Sequence, residues 1–106
     1  VDNAVFSNCN LCYSTIADTN LSSVLFDECK MKDTRFYNLT LKQFYLNNSD
    51  MENLELINTK LKEIDLSSCN ITNLKANSTD IEGMIIESYQ LLEIASLFGV
   101  KIKESI

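Results

Sequence analysis

The sequence predicts an all-β solenoid, in which the chain winds through successive coils, followed by one short helix. Three observations support this prediction: apolar residues recur every five positions, the turns use almost no Gly or Pro, and the recurrence stops near residue 88. The chain has 106 residues, of which 45% are hydrophobic and 23% charged, with two Gly and no Pro. This is the composition and size of one folded domain.

The period of five is the strongest signal in the chain. Residues two positions before each recurring apolar residue are never charged, and those two positions after it are polar or Gly except for Tyr13. At 45% hydrophobic residues, a run of seventeen apolar positions arises by chance roughly once in a million trials. Neither an α-helix nor a flat strand places two inward positions in every five, so the pattern predicts a coil with a corner every five residues. The seventeen positions are Phe6, Leu11, Ile16, Leu21, Phe26, Met31, Phe36, Leu41, Leu46, Met51, Leu56, Leu61, Leu66, Ile71, Ala76, Ile81 and Ile86.

Units such as Cys9-Asn10-Leu11, Thr19-Asn20-Leu21 and Thr79-Asp80-Ile81 resemble the A(D/N)LXX repeats of the pentapeptide-repeat family. The resemblance extends over about residues 4 to 88. It implies a right-handed quadrilateral β-helix of about four coils, in which residues 20 apart stack on each other. We expect this β-helix to occupy residues 1–88 and a C-terminal unit to occupy residues 89–106.

A leucine-rich repeat is the competing interpretation of residues 61–74, whose sequence LKEIDLSSCNITNL has the L-x-x-L-x-L spacing. A leucine-rich repeat would keep this spacing only in the strand half of each unit. The other half here keeps period five, through Thr34 with Phe36 and Leu54 with Leu56. The five-residue coil therefore accounts for more of the sequence.

The C-terminal unit is predicted to contain a helix that begins at the N-cap Ser88 and ends before Gly99. Three polar residues at spacing three, Gln90, Glu93 and Ser96, define a narrow polar side. A short strand is predicted over residues 100–103. The wide apolar side caps the last coil, and the resemblance implies that it also forms a homodimer interface; a cap without a dimer is the alternative. The candidate cap or dimer residues are Leu91, Leu92, Ile94, Leu97 and Phe98.

The chain lacks the residues that enzymatic chemistry and metal binding usually require. It has no His, and no nucleophile lies beside a base. The Cys9-x-x-Cys12 motif has no second ligand pair for zinc, and Cys29 and Cys69 fall at inward positions, so we expect the thiols to fill the core and to stay reduced. We predict a non-enzymatic protein without metal or cofactor.

Charge and hydropathy restrict the partners. With 15 acidic and 9 basic residues the net charge is −6, which disfavours nucleic-acid binding. No apolar stretch approaches the ~18 residues of a membrane span, and no basic-then-apolar leader is present, so we expect a soluble, cytoplasmic protein. Sorting the charges by face gives one face with a charge of −4 and no basic residue. This candidate acidic interaction face carries Asp27, Glu28, Asp65 and Glu87.

Two functions fit these features. The first is a repeat scaffold that binds an undefined protein partner. The second follows from the resemblance, because some pentapeptide-repeat proteins, including quinolone-resistance proteins, mimic a DNA duplex and bind DNA gyrase or topoisomerase IV. About four coils make a rod of only ~20 Å, the length of about six base pairs, and the other faces carry lysines. Both points favour the scaffold over a mimic that targets a type II topoisomerase.

Overall fold

The computed structural model describes residues 2–100 and Lys103, and it consists of short parallel strands followed by one short helix. Six strands alternate along the chain between two three-stranded sheets, with the orders β1-β3-β5 and β2-β4-β6. A 3₁₀ turn at Ser88–Gln90 leads into the helix α1, Leu91–Leu97. The predicted β-solenoid with a C-terminal helix is therefore confirmed. The strands are β1 (Asp2–Ser7), β2 (Thr15–Ala17), β3 (Asn20–Asp27), β4 (Arg35–Tyr37), β5 (Thr40–Asn47) and β6 (Glu55–Ile57).

Residues 20 positions apart stack on each other, as the sequence predicts. Phe6 pairs with Phe26 between β1 and β3, and their rings stack with centroids 4.9 Å apart. The same register continues beyond the last strand through isolated bridges, such as that between Asp65 and Ile85. The leucine-rich-repeat interpretation is wrong, because β4 and β6 place strands in the half of each coil where that fold has none.

The corners of the coils are sharp and have a left-handed backbone. Among the residues that the structure describes, fourteen non-Gly residues have a positive φ; thirteen of them lie two positions after one of the seventeen central apolar residues, and Asn3 lies two positions after Val1. Asn and Asp tolerate this conformation better than other non-Gly residues, and they fill nine of the fourteen positions. This preference explains why these positions are polar and why the coil needs so few glycines. The residues are Asn3, Asn8, Tyr13, Asp18, Ser23, Glu28, Asp33, Asn38, Gln43, Asn48, Asn53, Asn58, Glu63 and Asn73.

The core lies inside the coils and is built from the two predicted inward positions. The central residues from Leu21 to Ile71 are buried, except for Leu41, which stacks on Leu21 and is half-buried. At the second inward position, small polar side chains bond to the preceding coil: the Thr34 hydroxyl donates to the Leu11 carbonyl at 2.9 Å, and the Cys29 thiol donates to the Phe6 carbonyl at 3.2 Å. These hydroxyl and thiol groups therefore find hydrogen-bond acceptors inside the core and connect successive coils; the Leu11 carbonyl also accepts the Ser14 amide.

The register fails locally in the last coil. Thr79, predicted to point inward, is exposed, whereas Asp80, predicted to lie on an outward face, is only 2% exposed. Chain direction changes here, because residues 78–80 form a turn in which the Asp80 amide donates to the Asn77 carbonyl. The Lys60 ammonium lies 3.0 Å from the Asp80 carboxylate and pairs with its buried charge.

The C-terminal helix also departs from the prediction in detail. Ser88 is not the N-cap: Glu87 takes that place, and its backbone amide donates to the Gln90 side chain at 2.7 Å. Gly99, with φ +71°, follows the last helical turn as expected. The strand predicted over 100–103 falls largely on residues outside those that the structure describes. Within the described residues, no helix has the length and apolar character needed to cross a bilayer.

Candidate interaction surfaces

The stacked coils bring the acidic face together on one side of the solenoid. Asp27 ends β3, pairing with Ser7 and Asn47, and Glu28 occupies the corner that follows. Asp65 pairs with Ile85 two coils further on, and Glu87 precedes the 3₁₀ turn. Apart from the half-buried Asp27, these residues are exposed. The ion pairs found among residues 2–100 and Lys103 all lie on other faces.

Asp65 is held in its charged form. The Ser67 hydroxyl and the Ser67 backbone amide both donate hydrogen bonds to its carboxylate, the amide at 2.8 Å, and together they lower the pKa of Asp65 below its ordinary value. Hydrogen bonds to the ionised form stabilise it. The acidic face therefore keeps this charge into mildly acidic solution.

An apolar ridge runs along the same face, and the charge sorting of the sequence missed it. Val5, Leu25 and Tyr45 pair in register across β1, β3 and β5, and Ile85 continues the column after Asp65. Val5 is 68% exposed, Tyr45 56% and Ile85 46%. The signal was present in the sequence, because the ridge becomes visible when every twentieth residue from Val5 is read.

The helix α1 divides its apolar residues between the coil and solvent. Ile94 and Leu97 pack against the core cluster. Leu91, Leu92 and Phe98 are more than half exposed and point away from the coil. Of the five predicted cap or dimer residues, two therefore cap the solenoid and three form a free apolar surface, which we call the helix patch.

Two of the three residues on the predicted polar side of the helix, Gln90 and Glu93, face the coil, whereas Ser96 is exposed. Gln90 is 3% exposed, and its amide nitrogen donates to the carbonyls of Leu66 and Cys69 at 2.9 and 2.8 Å. The Glu93 carboxylate accepts the Asn73 backbone amide at 3.0 Å. These polar side chains bond backbone groups at the end of the coil, which have no further coil to pair with. Turning them inward leaves Leu91 and Leu92 outside.

Two of the four cysteines, Cys29 and Cys69, are core residues, Cys9 packs against the core, and Cys12 is half-buried outside it. All four thiols are free, and Cys29 and Cys69 are buried. Burial raises the pKa of both these thiols, so they stay protonated and poorly nucleophilic. No group of three or more potential ligand residues within the described part of the chain is arranged to hold a metal ion.

The fold defined by these coils is that of a repeat protein whose five-residue units wind into a β-solenoid. The family model for pentapeptide repeats matches residues 4–43 and 34–73, with eight copies. The chain therefore belongs to the pentapeptide-repeat family, whose members are generally non-enzymatic structural or interaction modules. The remaining predicted units, 74–88, lie outside the match and include the local departure at Asp80. The search of curated proteins finds no match.

Proposed function

We propose that this protein is a non-enzymatic scaffold that binds other proteins through the faces of its solenoid and pairs with a second copy through the helix patch. It works without a cofactor, and a cytoplasmic location fits its four free thiols. The observation that carries the proposal is the helix patch itself. Leu91, Leu92 and Phe98 are 58, 57 and 55% exposed, next to Tyr89 at 69%. Such a group of adjacent apolar side chains is typical of an interface.

The architecture that we propose for this scaffold is a right-handed quadrilateral β-helix of about four coils over residues 1–88, with residues 89–106 as the capping and dimerisation unit. Pairing at a separation of 20 residues and corners every five residues support four faces per coil. Because α1 covers the last coil, a dimer built on the helix patch would join two rods end to end. Such a dimer exposes two copies of each solenoid face to binding partners.

Light scattering tests the dimer directly. We expect twice the monomer mass of 12.0 kDa for the wild type, and 12.0 kDa for a Leu91→Glu/Leu92→Glu variant with unchanged circular dichroism. The matched control is Tyr13→Glu, which introduces a charge at an even more exposed side chain in the first coil and should leave the dimer intact. A wild-type mass of 12.0 kDa contradicts the dimer.

The second candidate is a DNA mimic that modulates DNA gyrase or topoisomerase IV. Its support is the acidic face, whose four carboxylates take part in none of the described ion pairs. Titration into gyrase supercoiling of relaxed plasmid tests it, with and without a quinolone. A DNA mimic inhibits supercoiling or relieves the poisoning of gyrase by the quinolone. Reversing the charge of Asp27, Glu28 and Asp65 by substitution with Lys abolishes that effect. The control reverses three exposed carboxylates on other faces, Asp18, Glu63 and Glu82.

A further inference from the structure

The apolar ridge is confined to one of the four faces. Its members stand one position before the central residues Phe6, Phe26, Leu46 and Ile86. On the other three faces, the corresponding position is polar in every coil: Asn10, Lys30, Asp50 and Asn70; Thr15, Arg35, Glu55 and Lys75; Asn20, Thr40, Lys60 and Asp80. Four apolar residues out of five on one face, against none on the others, mark this column as different from the rest of the surface.

The exposure of the ridge is not needed for folding. Val5 and Tyr45 lie on the outward side of β1 and β5, whereas the inward neighbours Phe6, Phe44 and Leu46 belong to the core. A polar side chain at the outward position satisfies the fold equally well, as the other faces demonstrate. Val5, Leu25 and Tyr45 occupy three adjacent coils and form a continuous apolar strip of the kind that binding surfaces present, and Ile85 follows one coil beyond Asp65.

The charges beside the ridge indicate which partner fits it. Asp27 and Glu28 flank Leu25 and Tyr45, Asp65 stands within the column, and Glu87 follows Ile85. The register gives this face no Lys or Arg, and the nearest basic side chains, Lys42 and Lys62, border Tyr45 from across the corner at Gln43. A partner with cationic side chains beside its apolar ones therefore gains complementary charge from the four carboxylates. The exposed ring of Tyr45 also offers a face to an Arg or Lys of the partner.

The spacing of the ridge side chains matches a partner helix better than a partner strand. Neighbouring coils are ~4.8 Å apart, so three successive ridge side chains span ~10 Å. One turn of an α-helix rises ~5.4 Å, which leaves a mismatch of about 1.2 Å over two steps. An extended strand sets same-side residues ~6.7 Å apart and misses by about 4 Å. The chain's own α1 is an unsuitable occupant, because it contains Glu93 and no basic residue.

We propose that the apolar ridge of Val5, Leu25, Tyr45 and Ile85, together with the acidic face, binds a cationic amphipathic helix of a partner protein. The helix lies along the solenoid axis, with its apolar stripe on the ridge and its Lys or Arg side chains beside the carboxylates. This inference rests on the proposed function as a protein-binding scaffold and names the chemistry of the partner.

The test uses the full-length protein and a fluorescent synthetic peptide of about five helical turns, with Leu at every third or fourth position and Lys on both flanks. We expect saturable binding by anisotropy, weakened at least tenfold by Leu25→Ser/Tyr45→Ser and by Asp27→Lys/Glu28→Lys. The matched control Tyr13→Ser removes an exposed tyrosine from another face and should leave binding unchanged. A scrambled peptide of the same composition should bind at least tenfold more weakly.

Three results overturn the proposal: no binding of the amphipathic peptide, equal binding of the scrambled peptide, or unchanged binding by the ridge variant with its circular dichroism intact. Light scattering on the same samples separates this proposal from the dimer. A dimer that fails to bind the peptide refutes the ridge proposal alone, and a monomer that binds the peptide refutes the dimer alone.

Discussion

Replacing Gln90 by Ala removes the side chain that joins the 3₁₀ turn to the end of the coil. Its amide nitrogen donates to the Leu66 and Cys69 carbonyls, and its oxygen accepts the Glu87 amide at 2.7 Å. Three net hydrogen bonds at about 1 kcal/mol each give a loss of about 3 kcal/mol. The Leu66 carbonyl also accepts the Cys69 amide, so it is not left without a donor. We therefore expect the free energy of unfolding to fall by about 2 to 3 kcal/mol.

Urea unfolding followed by circular dichroism measures this change, and a loss of this size corresponds to a Tm lowered by about 10 to 20 °C. The control Ser96→Ala alters an exposed residue on the same helix and should change stability by less than about 0.5 kcal/mol. Gln90→Glu should cost more than Gln90→Ala, because a buried carboxylate has no hydrogen to donate to two carbonyls. A Gln90→Ala variant that loses less than about 1 kcal/mol would refute the role of this amide in closing the coil.

Three further substitutions test the register, the corners and the acidic face. Leu61→Asp should lower stability by more than about 4 kcal/mol, because it buries an unpaired carboxylate in the core; a folded variant with native circular dichroism would contradict the register. Glu63→Gly should raise stability by about 0.5 to 1 kcal/mol, because Glu63 has φ +63° and Gly adopts that conformation without strain; a lower urea midpoint would argue against it. The hydrogen bonds from Ser67 depress the folded-state pKa of Asp65, so its contribution is present above the unfolded pKa near 4 and disappears as pH falls through the lower folded value. Asp65→Asn should therefore flatten the loss of stability on acidification below about pH 4, and an unchanged acid profile would disprove this linkage.

The repeat fixed which side chains form the core, because a solenoid places each repeat position in the same environment in every coil. The period of five placed Phe36, Met51 and Leu61 inside, where the structure has them fully buried. It also marked the polar corner positions, although the left-handed backbone behind that preference became clear only from the structure. The burial of Asp80 could not be predicted in this way, because a local turn rotates its side chain inward and a periodic pattern describes only what every coil shares.

The candidate surfaces were harder to foresee. The acidic face could be assembled from the register alone. The orientation of α1 could not, because it depends on the bonds that Gln90 donates to the Leu66 and Cys69 carbonyls at the end of the coil. Amphipathic reasoning assigns polar residues to solvent and so placed Gln90 outside. The apolar ridge was available in the sequence, but sorting each face by charge alone concealed Val5 and Tyr45.

The combination of corners every five residues and pairing every twenty has a consequence for how such a chain can change length. Duplicating 20 residues would add one full coil, extend each column by one side chain and return α1 to the same side of the rod. Inserting five residues would rotate everything downstream by one face. The acidic face before the insertion would then continue into a face of different charge, and the helix patch would point in a new direction. The length of the solenoid therefore determines how its surfaces are oriented relative to one another. Only the gain or loss of whole coils keeps each face continuous and keeps the helix patch on the same side.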